Sequence, residues 1–181
     1  MTTFPDTVFA HPLSSRLGSV SVGEYSSLWP GASLRGDFSP IRVGRFTSIQ
    51  DCCVLHATPT HRVSVGDFVT VGHGAVLHGC AVEDDCMIGM NSTVLDGAVI
   101  GRGSIVAAGA LVREGTTVPP GSFVVGLPAE IKPGRPGQAE RSRMGALSYA
   151  ALAENYRAGH ETISPEELLK KMGELREKAG P

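Results

Sequence analysis

The chain contains 181 residues, of which 41% are hydrophobic and 19% are charged, and its formal net charge is −2 at pH 7. A chain of this length and apolar content is expected to fold as one domain with a short appendage, which excludes an intrinsically disordered protein. The nearly balanced charge argues against binding of nucleic acid through a basic surface. With 23 glycines and only 6% aromatic residues, the composition is also unlike that of a helical bundle.

The sequence carries no signal for export or for membrane insertion. The N-terminal residues lack a basic segment followed by an apolar one, and no run of 18 apolar residues occurs. We therefore predict a cytoplasmic protein that does not enter a membrane. The four cysteines form no Cys-x-x-Cys pair, which favours reduced, mostly buried thiols over a zinc site made of cysteines. Cys52 and Cys53 are expected to face opposite ways, because neighbouring strand residues do so.

Apolar residues recur every six positions along most of the chain. The longest series runs from residue 88 to residue 124, and shorter series occupy residues 22–34, 43–55 and 65–77. A period of six matches neither the 3.6-residue period of a helix nor the two-residue period of a strand. It does match a short strand followed by a corner. A glycine often follows the apolar residue, as at Gly23, and we expect these glycines to adopt the backbone angles of the corners.

Three such hexads would form one triangular coil, and the interruptions of the period support this grouping. They fall after Leu34, Leu55 and Leu77, each of which is the third apolar residue of its series. Insertions at one corner leave the core of a stacked coil undisturbed, whereas the strands of a β-sandwich would not keep this phase. The pattern resembles the left-handed parallel β-helix of the hexapeptide-repeat superfamily, and the handedness is implied by the resemblance alone.

The C-terminal part of the chain has a different composition. Charged residues become denser there, and apolar residues recur at helical spacing. We predict a β-helix domain over residues 1–130, followed over residues 131–181 by a linker and a helical segment that packs on the coil. The two helices are expected near residues 139–158 and 165–178. The Ser-Pro-Glu-Glu sequence that begins at Ser164 supplies an N-cap, a proline in the first turn and a capping-box glutamate.

Three of the six histidines lie in register with the repeat. His56 and His78 each follow the third apolar residue of a series, so they should occupy equivalent positions on successive coils, about 4.8 Å apart. Both imidazoles can then reach one ion, since zinc binds imidazole nitrogen at roughly 2.0–2.1 Å. His73 lies on another part of the coil, and we expect it to complete the site from a neighbouring chain of a threefold assembly. Three histidines with one open position are typical of catalytic zinc.

Further polar residues accompany these histidines at the repeat positions. They stand in the motifs Arg35-Gly36-Asp37, Ile49-Gln50-Asp51, Leu55-His56, Gly72-His73-Gly74 and His78-Gly79. Together with the five-residue gap between the last two histidines, these motifs resemble the signature of the γ-class carbonic anhydrases. The resemblance covers residues from about 10 to 130. It implies a homotrimer that binds zinc, iron or cobalt at its interfaces, with His56 and His78 from one subunit and His73 from the next.

The resemblance also implies an activity and roles for the surrounding residues. The reaction is the reversible hydration of CO2 to bicarbonate by a metal-bound hydroxide. Gln50 would hydrogen-bond the metal-bound water, and Tyr149 resembles a tyrosine of the C-terminal segment that reaches the site in relatives. A helix residue that faces the core is the alternative for Tyr149. Arg35 and Asp37 would form an ion pair at the trimer interface, and Asp51 would make a further trimer contact.

The sequence departs from this family at the positions of proton transfer. Phe38 stands where active relatives carry an acid, and the loop of residues 57–62 contains no carboxylate. General acid or base groups typically contribute about 10²–10⁴-fold to a rate, so binding of a metal is better supported than rapid turnover. His61 in this loop is a candidate replacement shuttle, because the pKa of histidine is normally near 6.5. A solvated loop histidine without a role is the alternative.

Three other functions are compatible with the sequence. The first is a thioesterase or acyl-CoA hydrolase that uses the same site. The second is a coenzyme-A-dependent acyltransferase on the same fold, although the histidine cluster with Arg35, Asp37 and Gln50 argues against it. The third is a non-catalytic trimer that binds a metal or a siderophore, which the missing acidic residues favour.

Overall fold

A computed structural model of the chain describes residues 4–180, and it consists of strands, most of them short and parallel, followed by two helices. The strands are β1 (Phe9–Ala10), β2 (Ser15–Val22), β3 (Ser27–Leu28), β4 (Ser33–Val43), β5 (Ser48–Ile49), β6 (Val54–His56), β7 (Val63–Val65), β8 (Thr70–Val71), β9 (Val76–His78), β10 (Ala81–Val82), β11 (Met87–Ile88), β12 (Thr93–Val94), β13 (Val99–Ile100), β14 (Ile105–Val106), β15 (Leu111–Val112), β16 (Thr117–Val118), β17 (Ser122–Gly126) and β18 (Ala129–Pro133). The helices are α1 (Gln138–Arg157) and α2 (Pro165–Ala179). The predicted fold class, a β-helix of hexapeptide repeats with C-terminal helices, is confirmed.

The strands stack in parallel along three faces of a prism. The first face has the order β1-β3-β5-β8-β11-β14-β17, and β18 adds to its end in antiparallel orientation. The other two faces are joined by the long strand β4, whose residues Ser33–Arg35 pair with β6 and whose residues Ile41–Val43 pair with β7. The second face continues through β9, β12 and β15, and the third through β10, β13 and β16. Three hexads per coil are therefore what the structure contains.

The repeating apolar residues form the core of this prism. Leu34, Leu55 and Leu77 lie one above another on the second face, and each is fully buried. Burial of such a side chain contributes about 1.5–3 kcal/mol. Because each short strand sends one apolar residue inward, the core repeats every six residues, and the side chains next to each inward residue face outward. The histidines that follow Leu55 and Leu77 are therefore placed on the outer surface of the second face.

The corners of the coils are formed by residues with left-handed backbone angles. In one corner these residues are Tyr25, Phe46 and Phe68, with φ values of 60°, 52° and 55°. Such angles are unfavourable for aromatic residues. The three rings stack, with centroids 4.9 Å apart in each neighbouring pair, and Phe46 and Phe68 are buried in a cluster with residues of α1 and α2. We attribute the tolerance of these angles to this packing.

The glycines that follow the apolar residues do not supply these corner angles, and that prediction is wrong. Within the described residues, Gly23 and Gly44 are not among those with positive φ. They lie where successive coils approach closely: a Cβ on Gly23 would come within 2.7 Å of the Gly44 carbonyl carbon, and one on Gly44 within 2.5 Å of the Gly66 carbonyl carbon. These glycines allow the coils to stack, and the left-handed residue comes two positions later.

The two helices cover the aromatic stack and part of the first face. Helix α2 begins as predicted, since the side-chain oxygen of Ser164 accepts a hydrogen bond of 3.2 Å from the backbone N–H of Glu167. Met172 and Leu175 of α2 and Leu147 of α1 are buried against the stack, and α1 also packs against β1, β3, β5 and β8. Neither helix combines the length and the apolar character that crossing a membrane would require, as far as residues 4–180 are concerned.

Candidate metal centre

His56 and His78 lie side by side at the ends of β6 and β9. The register pairs Leu55 with Leu77 and His56 with His78, so the two histidines occupy equivalent positions on adjacent coils, as their spacing predicts. Arg35 lies one coil earlier in the same register. The Nδ1 atom of His56 is 3.0 Å from the Nε2 atom of His78. Within a single chain, the register alone therefore brings two imidazole nitrogens together.

Each of these imidazoles contacts a carboxylate through its other nitrogen. The Nε2 atom of His56 is 3.2 Å from Oδ1 of Asp37, and the Nδ1 atom of His78 is 2.5 Å from Oδ1 of Asp96. A neutral imidazole has one N–H, and an ionised carboxylate only accepts hydrogen bonds. If both outer nitrogens donate, the two inner nitrogens face each other with lone pairs, which repel unless a proton or a cation lies between them. We call these four residues the paired-histidine face.

Arg35 and Phe38 border the paired-histidine face. The guanidinium of Arg35 forms an ion pair with Asp37 within the same chain. Although desolvation opposes the effect, hydrogen bonds from Arg35 and His56 lower the pKa of the Asp37 carboxyl below its ordinary value. Asp37 is therefore ionised at neutral pH and can accept from His56. The ring centroid of Phe38 is 6.2 Å from that of His56, so an aromatic ring borders the pair at the position where the resemblance to γ-class carbonic anhydrases implies an acid.

His73 lies at a corner after β8, on a different side of the prism. Its Nδ1 atom is 2.8 Å from Oδ2 of Asp51, and its backbone N–H donates to Oε1 of Gln50 at 3.2 Å. Gln50 is buried, whereas the side chain of His73 is 48% exposed. A neutral His73 that donates from Nδ1 presents its Nε2 atom as a free acceptor. We call His73, Gln50, Asp51 and Tyr149 the single-histidine face.

Two clefts flank the single-histidine face. The larger has a volume of about 610 Å³ and is lined by Trp29, Tyr149 and Tyr156 together with His73 and Gln50. The smaller has a volume of about 420 Å³, shares His73, Gln50 and Tyr149, and is otherwise lined mainly by apolar residues on and next to β11 and β14. Helix α1 therefore brings Tyr149 to the same place as Gln50 and His73.

The two faces do not meet within one chain. Across residues 4–180, no three or more histidine, cysteine or acidic side chains are grouped so that they could hold a metal ion. His56 and His78 end strands of the second face of the prism, whereas His73 follows a strand of the first face. A site built from all three histidines would need a second copy of the chain, and that arrangement stays a prediction.

Asp96 is a contact residue of this centre that the motifs do not include. It follows His78 by 18 residues, which is the length of one regular coil of three hexads. A search for polar residues one coil away from each histidine would therefore have found it. His61, the candidate shuttle, forms a hydrogen bond of 3.0 Å between its Nδ1 atom and Oγ1 of Thr60. Its side chain lies over Gly79 and Gly97, at the corner that carries Asp96. Its role stays a prediction.

The cysteines are divided between the surface and the core. Cys52 is exposed and Cys53 is buried, so the two face opposite ways as predicted, although they lie in the corner between β5 and β6 and not in a strand. Burial raises the pKa of the Cys53 thiol to about 11 and the pKa values of Cys80 and Cys86 to about 12. Thiols with such pKa values are protonated at neutral pH and are poor nucleophiles. The three buried cysteines therefore belong to the core, and none of them is a candidate nucleophile.

Comparison with known sequences finds a matching family model and several curated relatives. The family model described as bacterial transferase hexapeptide (six repeats) matches residues 79–114. A Methanocaldococcus jannaschii protein named "Probable carbonic anhydrase" is 47% identical over 78 residues, which cover 43% of this chain and 49% of that protein. The mitochondrial γ carbonic anhydrase 2 of Arabidopsis thaliana is 48% identical over 96 residues, which cover 50% of this chain and 34% of that protein. The matches thus span about half or less of these curated relatives.

A solved structure extends the likeness to most of the chain. The product of the BC4754 gene of Bacillus cereus, provisionally assigned as an acetyltransferase, superposes with a TM-score of 0.83 at 35% sequence identity, covering 86% of this chain and 91% of that one. The curated relatives and the structural relative differ in the activity that their names carry. The chain belongs to the hexapeptide-repeat family, and over about half of its length it is similar to proteins named as carbonic anhydrases.

Proposed function

We propose that the chain forms a homotrimer that holds a divalent transition-metal ion at each subunit interface and catalyses the reversible hydration of CO2 to bicarbonate. The observation that carries the proposal is the pair of imidazole nitrogens of His56 and His78, 3.0 Å apart, whose outer nitrogens contact Asp37 and Asp96. Zinc is the first candidate for the metal, and iron and cobalt are the alternatives.

The paired-histidine face fits such an ion in donor type and in spacing. Two nitrogens that each bind one tetrahedral zinc ion at about 2.0–2.1 Å lie about 3.4 Å apart, which is close to the observed 3.0 Å. Histidines that bind metals typically donate their other N–H to a carboxylate, and both imidazoles have such a partner here. An ion would also remove the repulsion between the two facing lone pairs.

His73 of a neighbouring subunit would supply the third nitrogen. In a closed ring of three subunits, each interface joins two different surfaces, so a paired-histidine face can meet a single-histidine face at all three interfaces. Exposed apolar residues lie beside both faces and support their burial: Phe38 and Val54 are 63% and 41% exposed near His56, and Met90 is 53% exposed in the cleft next to His73. Large exposed apolar side chains that cluster around polar groups are typical of interfaces.

The residues of the single-histidine face would act on the substrate and on water. A divalent ion held by three histidines supplies Lewis acidity that lowers the pKa of a water molecule to about 7. Gln50 is held by the His73 N–H at its Oε1 atom, so its NH2 group is left to donate to a substrate or water oxygen. Tyr149 offers a hydroxyl in the same clefts, and the apolar walls of the smaller cleft would hold CO2.

Release of the proton to solvent is the step for which this chain offers the fewest acid or base side chains. Phe38 and the loop of residues 57–62 provide no carboxylate, and loss of a general acid or base typically costs about 10²–10⁴-fold. His61 is the one titratable side chain of that loop besides Arg62, and we assign proton transfer to it. We therefore expect a slow enzyme whose rate depends on buffer.

The test measures metal content, assembly and CO2 hydration on the same preparation. Untagged protein, purified without oxygen, is analysed for metal per chain, for mass by light scattering and for CO2 hydration by stopped flow. The proposal predicts a trimer with about one metal ion per chain and a rate above that of an equal amount of free zinc, unchanged in the exposed control variant His160→Ala. A chain that takes up no zinc or cobalt contradicts the proposal. A metal-loaded trimer without hydration activity would favour the non-catalytic alternative.

The larger cleft favours a second candidate function, the hydrolysis of thioesters or esters. Its volume of about 610 Å³ lies within the range of about 300–1,000 Å³ that is usual for organic ligands, and CO2 would leave most of it empty. Trp29 and Tyr156 would hold an acyl chain beside His73 while water adds to the acyl carbon and the thiol or alcohol leaves. Hydrolysis of acyl-CoA or p-nitrophenyl esters that disappears with the metal would support this candidate. Saturable binding of coenzyme A by metal-free protein would favour acyl transfer instead.

A further inference from the structure

We propose that Asp96 is a positioning residue, which holds His78 in the tautomer that carries its proton on Nδ1 and so directs the lone pair of Nε2 toward His56. The proposal rests on the proposed metal site for its purpose, but the tautomer of His78 is a property of the metal-free chain. The two statements can therefore fail separately.

The contact between Asp96 and His78 is short and partly shielded from water. Oδ1 of Asp96 is 2.5 Å from Nδ1 of His78, and the two side chains are 28% and 35% exposed. Because an ionised carboxylate can only accept, the proton of a neutral His78 is drawn to Nδ1. The Nε2 atom is then the acceptor nitrogen, and it is the atom that lies 3.0 Å from His56.

The backbone of two stacked corners holds Asp96 in place. The Gly97 N–H donates to the Gly79 carbonyl at 2.8 Å, and the Gly79 N–H donates to the His56 carbonyl at 2.9 Å. A Cβ on Gly79 would come within 2.6 Å of Oδ1 of Asp96, and the φ of Gly79 is +54°. Because Gly79 has no side chain, the Asp96 carboxylate can occupy the space beside it. The conformation of the corner therefore supports the contact between Asp96 and His78.

Asp37 is less suited to this role. Its carboxylate is shared between Arg35 and His56, its contact with His56 is longer, at 3.2 Å, and its side chain is 41% exposed. A carboxylate that is engaged by a guanidinium is a weaker acceptor for an imidazole. We therefore expect Asp96 to determine the tautomer more strongly on its side of the histidine pair than Asp37 does on the other. Loss of such a partner typically lowers metal affinity by about 10–100-fold.

The first test is the tautomer of His78 in metal-free protein, read from long-range ¹⁵N–¹H couplings of the ring at a pH above the ordinary histidine pKa. Wild-type protein is expected to show the proton on Nδ1. In Asp96→Asn, the new NH2 group can donate to Nδ1, so the proton is expected to move to Nε2. The matched control is Glu114→Gln, which removes an exposed carboxylate at the equivalent position of the next coil and should leave the His78 signals unchanged. A wild-type His78 with its proton on Nε2 would overturn the proposal.

The second test is zinc affinity, measured by competition with a chromogenic chelator. We expect Asp96→Asn to bind zinc about 10–100-fold more weakly than wild type, and Glu114→Gln to bind as wild type does. Gly79→Ala, which pushes the carboxylate aside, provides a second variant if Asp96→Asn fails to fold by circular dichroism. Equal zinc affinity of wild type and Asp96→Asn would overturn the positioning role. The predicted tautomer in a wild-type chain that binds no zinc would instead contradict the proposed metal site and leave the effect of Asp96 on His78 standing.

Discussion

The paired-histidine face and the single-histidine face are assembled by different physical means. His56 and His78 follow equivalent core residues on strands about 4.8 Å apart, so strand register alone brings their rings together. His73 and Gln50 come from neighbouring coils of the first face and share a hydrogen bond, whereas Tyr149 joins them because α1 packs on that face. A repeat can duplicate a side chain along one face of a prism, but it cannot bring two faces together. A site that needs both faces therefore depends on assembly.

The largest expected effect is on the core beneath the paired-histidine face. Leu77 is fully buried, and Leu77→Ala should lower the free energy of unfolding by about 2–5 kcal/mol because a cavity forms between coils. The matched control is Leu169→Ala on α2, where the side chain is 67% exposed and the change should stay within about 0.5 kcal/mol. Chemical denaturation of both variants measures the difference. Similar losses in the two variants would contradict the burial of Leu77 in a packed core beneath the histidine pair.

A smaller effect is expected from Gln50 and Tyr149, the two residues of the single-histidine face that we assign to water and substrate, and it should fall on rate and not on metal binding. Gln50→Ala removes the amide that the His73 N–H holds, and CO2 hydration should fall by about 10–100-fold while metal content is kept. Tyr149→Phe keeps the wall of the clefts and removes only the hydroxyl, so its effect should be smaller. Stopped-flow rates at matched metal content measure both. Loss of the metal from Gln50→Ala would mean that this residue supports a ligand and does not orient water.

The smallest expected effect is chemical labelling of the cysteines, which distinguishes thiols on the outside of the coil from thiols in its core. Cys52 is exposed, whereas Cys53, Cys80 and Cys86 are buried with pKa values of about 11 to 12. At pH 8 the buried thiols stay protonated and shielded, so one thiol per chain should react quickly with a chromogenic disulfide, and all four cysteines only after unfolding. Rapid reaction of two or more thiols in the folded protein would contradict this division.

Much of the architecture follows from the sequence because the hexad period acts on every coil. The spacing of the apolar residues predicts the stacking of Leu55 on Leu77 and of His56 on His78, and the motif at Ser164 predicts the start of α2. The backbone angles of the corners cannot be predicted in this way. A glycine in the sequence shows that a Cβ is absent, but it does not show whether the reason is an unusual φ or the approach of another coil. The repeat suggested an unusual φ for Gly23 and its equivalents, whereas the structure shows that the neighbouring coil leaves no room for a Cβ.

The candidate site is predictable to the same extent and for the same reason. The positions of the histidines depend on the repeat, whereas the contacts of their second nitrogens depend on where each ring and each carboxylate turn. Asp96 illustrates this limit, since its place one coil from His78 is visible in the sequence but its contact with Nδ1 is not. Tyr149 depends on how a helix docks, and only the resemblance to γ-class carbonic anhydrases pointed to it. The contribution of His73 to a neighbouring site stays a prediction.

The central claim is that each metal site is shared between two chains, and co-assembly of two variants tests it most directly. His73→Ala lacks the donor of the single-histidine face, and His78→Ala lacks one donor of the paired-histidine face. Each variant alone should form a folded trimer without bound zinc. When equal amounts are unfolded and refolded together, random mixing in a threefold ring makes about one quarter of the interfaces complete, so the mixture should bind about a quarter of the wild-type zinc. A full metal complement in His73→Ala alone, or no metal in a mixture shown to exchange subunits, would contradict the shared site.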